Sequence, residues 1–372
     1  MQIREAFDRF HTIACSPRAQ MDRYLAQGRK IVLTAPVYTP EELIHAMGLV
    51  PMGAWGADVQ LAQAKRYFPA FLCSIVQSIL ELGMSGAYTG ASAIVIPSLC
   101  DSLKCLGENW KYAVPSIPFV PMTYPQNRKP AYARAFTEAG YRRVIADLEK
   151  ATGCAFDEAR LADSLSVYNA HNAAMRRFAE LCAEHPEVTA AQRSDVFKSA
   201  FFMLKEEHTA LVTALCDALE RTTPGAKKTG IAISGILTDA PELNSILDEN
   251  GLQILWDDVA AQSRQYRTDA PMTGSPLADL VEKFSAMDHC SVLYDPKKER
   301  VDLVAREAAD RGAAGVLIVM TKFCDPEEFD YPLIRKACEA TGIPCTMIEV
   351  DRQMVGLEQA RTAIETFRDM LD

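Results

Sequence analysis

Two stretches of the chain, IVIPSLCDSLK (Ile94 to Lys104) and LIVMTKFCDPEE (Leu317 to Glu328), each run an apolar strand straight into a Cys-Asp pair. A thiolate is a soft metal ligand. In open α/β sheets, ligands collect just beyond the carboxyl ends of the strands. Cys100 and Cys324 are therefore expected at the functional rims of two separate sheets, with a bound group between them. Cys73, in FPAFLCSIVQS, is a third thiol that a two-domain cleft can bring to the same place. Position alone leaves two readings of each residue open, a metal ligand or a small buried packing residue. The polar loop setting of Cys100 and Cys324 favours the first. Cys105, five residues after Cys100, competes as a ligand or packs inward one turn along the same helix.

The chain has 11 cysteines, an odd number, and no CxxC, so zinc-ribbon, thioredoxin and bacterial ferredoxin spacings are absent. Any metal site must be assembled from distant segments. The other thiols, including Cys15, Cys154, Cys182, Cys216, Cys338 and Cys345, read as packing residues. His45 and His208 fall inside helical patterns without a second ligand at zinc-site spacing. GxGxxG, P-loop and GxSxG patterns are also missing. Arg128, Lys129, Arg264 and Arg267, in YPQNRK and SRQYRTD, are available either to an anionic phosphate or to structural hydrogen bonds. Asp101 and Asp325 either support a ligand loop or cap the helix that follows.

The elements that must position these residues follow from an internal repeat. KIVLTAPVYTPEELIHAMGLVPMGAWGAD, from Lys30, and TGIAISGILTDAPELNSILDENGLQILWDD, from Thr229, share one plan: β-branched strand, loop, Pro-Glu helix start, helix closed at glycine, second strand. Proline and acidic residues suit a helix start, and Gly48 and Gly251 suit its left-handed end. Further strands are expected at Ala93 to Ile96, Ile117 to Thr123, Ser291 to Tyr294, Gly315 to Met320 and Thr346 to Val350. Between the two units, long helical periods rich in Ala, Arg and Glu predict a helical connector. The fold class is thus α/β, with two related doubly wound, Rossmann-like parallel-sheet domains joined by a helical segment. The expected division is an N-terminal helical segment (1–28), a first α/β domain carrying Cys73 and Cys100 (29–130), the connector (131–221) and a second α/β domain carrying Cys324 (222–372).

With 372 residues, 49% of them hydrophobic, the chain is long enough for two or three cored domains. Its 39 basic and 49 acidic residues give a formal net charge of -10 without a basic block, which argues against a nucleic-acid partner. No apolar run approaches the ~20 residues of a membrane span, and the opening residues lack a long apolar segment, so a cytoplasmic location is expected.

FPAFLCSIVQS, PSLCDSLKCLGENWK, YPQNRK, FFMLKEEHTALV, GILTDAPELNSILDENG, YDPKKER and MTKFCDPEEFDYPLIRK together resemble the 2-hydroxyacyl-CoA dehydratase family, which extends to benzoyl-CoA reductase subunits. The likeness runs nearly end to end and is nearest the smaller (β) subunits. It implies a [4Fe-4S] cluster held by Cys73, Cys100 and Cys324, with one iron free of a protein ligand; Cys105 is also part of the small-subunit motif. The implied reaction removes water from an (R)-2-hydroxyacyl-CoA. The proton to be lost is β to the thioester, where no enolate stabilises the anion, so ordinary acid-base catalysis faces a high barrier. One electron added to the carbonyl gives a ketyl radical that expels hydroxide, and the electron returns at the end. The implied partners are a larger paralogous (α) subunit, an ATP-dependent iron-sulfur activator and the acyl-CoA substrate, and this chain's cluster would relay the electron. Tyr38 and Thr39 match a substrate-facing loop of the larger subunit. A homodimeric double-cubane reductase and a cluster-free two-lobed binding or assembly protein are the alternatives.

Overall fold

In the computed structural model, which describes residues 2–35, 37–57 and 59–371, the first half begins with helices α1 (Ile3–Cys15) and α2 (Pro17–Ala26). It continues as β1 (Ile31–Thr34), α3 (Glu41–Ala46), β2 (Val50–Gly53), α4 (Ser74–Met84), β3 (Ala91–Pro97), α5 (Asp101–Ala113) and β4 (Phe119–Met122). Four helices follow: α6 (Ala131–Thr152), α7 (Glu158–Glu184), α8 (Ala190–Ser199) and α9 (Lys205–Leu219). The second half runs β5 (Thr229–Gly235), α10 (Pro241–Glu249), β6 (Leu252–Val259), α11 (Pro276–Ala286), α12 (Glu299–Asp310), β7 (Gly315–Thr321), α13 (Asp325–Thr341), β8 (Cys345–Val350) and α14 (Glu358–Met370).

The strands form two four-stranded parallel sheets, ordered β2-β1-β3-β4 and β6-β5-β7-β8. The two orders are the same, so the repeat visible in the sequence is a repeat of topology. In the first sheet Ile31, Leu33, Ile94 and Ile96 face one apolar cluster that includes Trp110, while Val32, Ala93 and Val95 face another that includes Tyr141 and Phe284. This is the period-2 alternation of a strand with both faces covered. In the second sheet Ile233, Leu317 and Val319 meet Ile246 and Phe367 on one side, and Val316 and Ile318 meet Val304 and Ile334 on the other.

The halves are clamped together by buried polar contacts. Asp239 accepts from Trp55 Nε1 (2.7 Å) and from Arg352 Nη2 (2.7 Å), and the Arg352 amide donates to Ser74 Oγ (3.0 Å). Lys283 on α11 reaches Glu42 on α3 at 2.5 Å. The second half therefore grips the start of α4, immediately after Cys73.

Ser291 to Tyr294, expected as a strand, is instead a turn and loop. The run Val292-Leu293-Tyr294 is cut short by Asp295-Pro296, and Cys290 and Leu293 bury against the first sheet's cluster rather than joining the second sheet. Among the described residues, no helix is long and apolar enough to cross a membrane.

Candidate metal centre

Each of the three thiols singled out by sequence stands at a helix N-cap: Cys73 before α4, Cys100 before α5 and Cys324 before α13. β3 ends at Pro97 and β7 at Thr321, so Cys100 and Cys324 lie three residues beyond the strands that deliver them. All three line a single cavity of about 890 Å³. Its walls come from both halves, with Val37 and Leu99 from the loops after β1 and β3, and Ile236 and Phe323 from those after β5 and β7. The cavity is where the carboxyl-edge rule puts a ligand, twice over.

The thiols are close enough to feel one another. Burial pushes Cys73 up to about 11; the amides of Ile75 and Val76 oppose this and the Cys100 sulfur adds to it. Cys100 is also raised by burial, against the amides of Leu103 and Ser102. Cys324 lies well above the usual thiol range through burial, then Glu327, Cys73 and Cys100. Without a cation between them these groups are thiols, and a bound metal reverses that preference by displacing the protons.

The donor set suits a cluster better than a single ion. Among the described residues, one group of three metal-ligating side chains has its donor atoms within 4.8 Å of one another, and it lies elsewhere, at His11, Cys15 and Asp195. The three cavity sulfurs are thus not all within that distance of one another, a spacing that suits thiolates on separate irons of a cluster. Helix-start amides favour negative charge on all three sulfurs. The residues present fit the [4Fe-4S] group that the sequence resemblance implies.

A buried ion network holds the Cys324 loop. Arg264 Nη2 donates to Asp258 Oδ2 (2.9 Å) and Glu327 Oε1 (3.1 Å); Arg300 reaches Asp258 (2.7 Å), Glu327 (2.8 Å) and Asp330 (2.8 Å). Ser291 Oγ donates to Glu327 Oε1 at 2.6 Å, so the loop that replaces the expected strand is tied to the first turn of α13. Burial pushes the Glu327 carboxyl up, but Arg300 and Arg264 outweigh it and the net shift is downward. Phe323, just before the ligand position, has φ +62, a conformation that costs a bulky residue energy and persists where surroundings enforce it.

These pairings favour the structural reading of the basic residues over an anion pocket. Arg264 and Arg267 are both engaged with Asp258, the latter at 2.9 Å. Arg128 is buried against Asp288 (2.6 Å) and the Tyr294 carbonyl, and Lys129 shares Asp288 (2.7 Å). Asp101 is exposed and paired with Lys104 at 3.0 Å rather than capping α5 through its side chain. Cys105 is exposed on α5 outside the cavity lining. Cys182, Cys216 and Cys338 are buried packing residues, whereas Cys15 is exposed beside His11.

Tyr38 and Thr39 do not line the thiol cavity; their neighbour Val37 does. They border a second cavity of about 70 Å³ with Glu41, His171, Lys205 and Lys283. Tyr38 Oη donates to Cys290 Sγ at 3.1 Å. Sequence reasoning missed the contribution of Ile236 and Leu237 to the thiol cavity. The signal was present, since they occupy in the second repeat the loop that Val37 occupies in the first.

Residues 36–371 match the family described as 2-hydroxyglutaryl-CoA dehydratase, D-component. The chain is 41% identical over 368 residues to the (R)-phenyllactyl-CoA dehydratase beta subunit of Clostridium sporogenes, covering 98% of each chain. It is 40% identical over 365 residues to the lactoyl-CoA dehydratase subunit beta of Anaerotignum propionicum, covering 96% of each. With the (R)-2-hydroxyglutaryl-CoA dehydratase, subunit beta, of Acidaminococcus fermentans, identity is 36% over 380 residues and coverage is 100% of both. A match over nearly the whole length, on a chain that gathers three cysteines from both its sheets into one cavity, makes this protein a member of the 2-hydroxyglutaryl-CoA dehydratase D-component family.

Proposed function

We propose that the chain is the beta-type subunit of a 2-hydroxyacyl-CoA dehydratase, working with a larger paralogous alpha subunit to convert an (R)-2-hydroxyacyl-CoA to the enoyl-CoA. The observation that carries the reading is the convergence of Cys73, Cys100 and Cys324 on one cavity between the sheets. These three thiolates would hold a [4Fe-4S] cluster, which supplies one-electron transfer and keeps one iron open to an exogenous ligand. The chain's own residues do the positioning. The Arg264–Glu327–Arg300 network fixes the Cys324 loop, and the clamp around Asp239 sets the distance between α4 and the second sheet. Val37, Leu99, Ile236 and Phe323 supply an apolar wall that restricts water around the thiolates.

The three thiols sit among apolar residues of this chain, with Asp101, Lys104, Asp295, Lys298 and Asp325 also along the cavity lining, and it is the gathered thiols that support an electron-handling role. The exposed Phe329 (75%) and Leu333 at the cavity margin are suited to cover by the partner subunit. The test is anaerobic co-purification with the paralogous subunit, followed by assay of 2-hydroxyacyl-CoA dehydration with an ATP-dependent iron-sulfur activator. Enoyl-CoA formation that needs ATP, activator and both subunits is the expected result. Equal turnover by the partner subunit alone would overturn the reading.

A further inference from the structure

On α1, His11 and Cys15 are four residues apart and share one helix face. Facing them, α8 presents Asp195. His11 Nδ1 is 2.8 Å from Asp195 Oδ2, and Cys15 Sγ is 3.7 Å from His11 Nδ1 and 3.8 Å from its Nε2. All three side chains have ligating atoms within 4.8 Å of one another.

The trio is held by the packing beneath it. Phe7 and Phe10 of α1 share an apolar cluster with Val196 and Phe197 of α8. A capping box between Thr189 and Gln192 fixes the start of α8, so Asp195 sits on a well-defined turn. Lys198, the next cation along that helix, gives its ammonium to Asp239 at 2.9 Å. His11 and Cys15 are exposed, leaving one side of the group open to solvent.

We propose that His11, Cys15 and Asp195 form a surface site for a zinc-class divalent cation, with three protein ligands and water in the fourth position. Thiolate, imidazole and carboxylate are the donor types that zinc takes, whereas magnesium and calcium prefer all-oxygen sets. Bonds of about 2.3 Å to sulfur and about 2.0 Å to nitrogen in a tetrahedron put the two ligand atoms about 3.5 Å apart. Cys15 Sγ lies 3.7 Å from His11 Nδ1 and 3.8 Å from Nε2, and Asp195 Oδ2 lies 2.8 Å from Nδ1. Binding therefore displaces the proton shared by His11 and Asp195 and turns the exposed imidazole and thiol about their side-chain torsions to aim one donor of each at the ion. Such an ion would staple α1 to α8 and so tie the N-terminal helix to the connector. The site is separate from the thiol cavity and does not depend on the dehydratase reading.

The experiment titrates zinc ion against an indicator, using cluster-loaded protein freed of adventitious zinc with a mild chelator. Wild type is compared with Cys15→Ser, His11→Ala, Asp195→Asn and, as a control for exposed thiols, Cys105→Ser. Expected are one equivalent of zinc in wild type and Cys105→Ser, at least about tenfold weaker binding in the other three, and a zinc-dependent rise in melting temperature confined to the first two. All four substituted residues are exposed or at the surface, so zinc-free melting temperatures check that the variants fold. Equal zinc binding by wild type and the three site variants, loss in Cys105→Ser as large as in Cys15→Ser, or no zinc equivalent in wild type would each overturn the proposal.

Discussion

Glu327 is the residue whose loss is expected to cost most among those near the thiol cavity. It is buried, accepts from Arg264 and Arg300, and lies three residues after Cys324. Glu327→Leu removes one anion from a network that keeps both guanidinium groups, and breaking a buried pair in this way costs roughly 3–5 kcal/mol. Urea unfolding of the purified variant measures it; a loss below about 1 kcal/mol would contradict the network's structural role. A second prediction concerns two buried histidines. His171 Nε2 and His208 Nδ1 are 2.9 Å apart, and His208 Nε2 faces the Val196 carbonyl at 3.1 Å. One consistent arrangement has His171 Nε2–H donating to His208 and His208 Nε2–H donating to Val196, both rings neutral. Burial lowers both, with the Lys205 charge helping to bring His208 to about 3. The unfolded chain therefore takes up protons below about pH 6.5 that the folded chain refuses, and stability present above that pH is lost as pH falls toward 3. Between about pH 7.5 and 5 the loss is up to about 2 kcal/mol per imidazole, and His208→Asn should lose markedly less than wild type over the same interval. Equal pH sensitivity of the two proteins would count against neutral buried rings. At this scale the cysteines were legible in the sequence because their loops follow apolar strands. The roles of Arg264 and Arg300 were not, because Asp258 and Glu327 reach them only through the fold.

The elements were largely legible, for a physical reason. β1 and β5 are β-branched runs buried on both faces, and the Pro-Glu starts of α3 and α10 and the glycines after them mark helix ends locally. Ser291 to Tyr294 failed because its apolar residues serve another part of the molecule. Three residues of strand-like pattern cannot distinguish a sheet position from a loop packed on a neighbouring core. Spacing between strands also explains a glycine. A Cβ at Gly235, the last residue of β5, would sit 2.4 Å from the Val319 carbonyl oxygen of β7. Gly235→Ala is expected to cost roughly 1–3 kcal/mol by forcing the strands apart, and thermal unfolding would reveal it. An unchanged melting temperature would mean that the β5–β7 spacing yields more easily than this contact implies.

For the molecule as a whole, the site exists only because loops from two similar sheets line one cavity. Cys73 and Cys100 come from the first sheet's loops and Cys324 from the second's, so no half of the chain has the donor set by itself. The Asp239 contacts with Trp55 and Arg352, and Lys283 with Glu42, hold that arrangement through buried polar groups. The sequence made two sheets and three thiols visible, but not the clamp, whose partners are far apart along the chain and ordinary in type. The proposed centre takes its ligands from Cys73, Cys100 and Cys324 and not from Cys105. Iron and acid-labile sulfide should be measured on anaerobically purified wild type and on Cys73→Ser, Cys100→Ser, Cys324→Ser and Cys105→Ser. Each of the first three variants should lose the cluster's iron and sulfide while Cys105→Ser retains wild-type levels; equal iron in every variant, or its loss in Cys105→Ser, would rule out a three-thiolate cluster at this cavity.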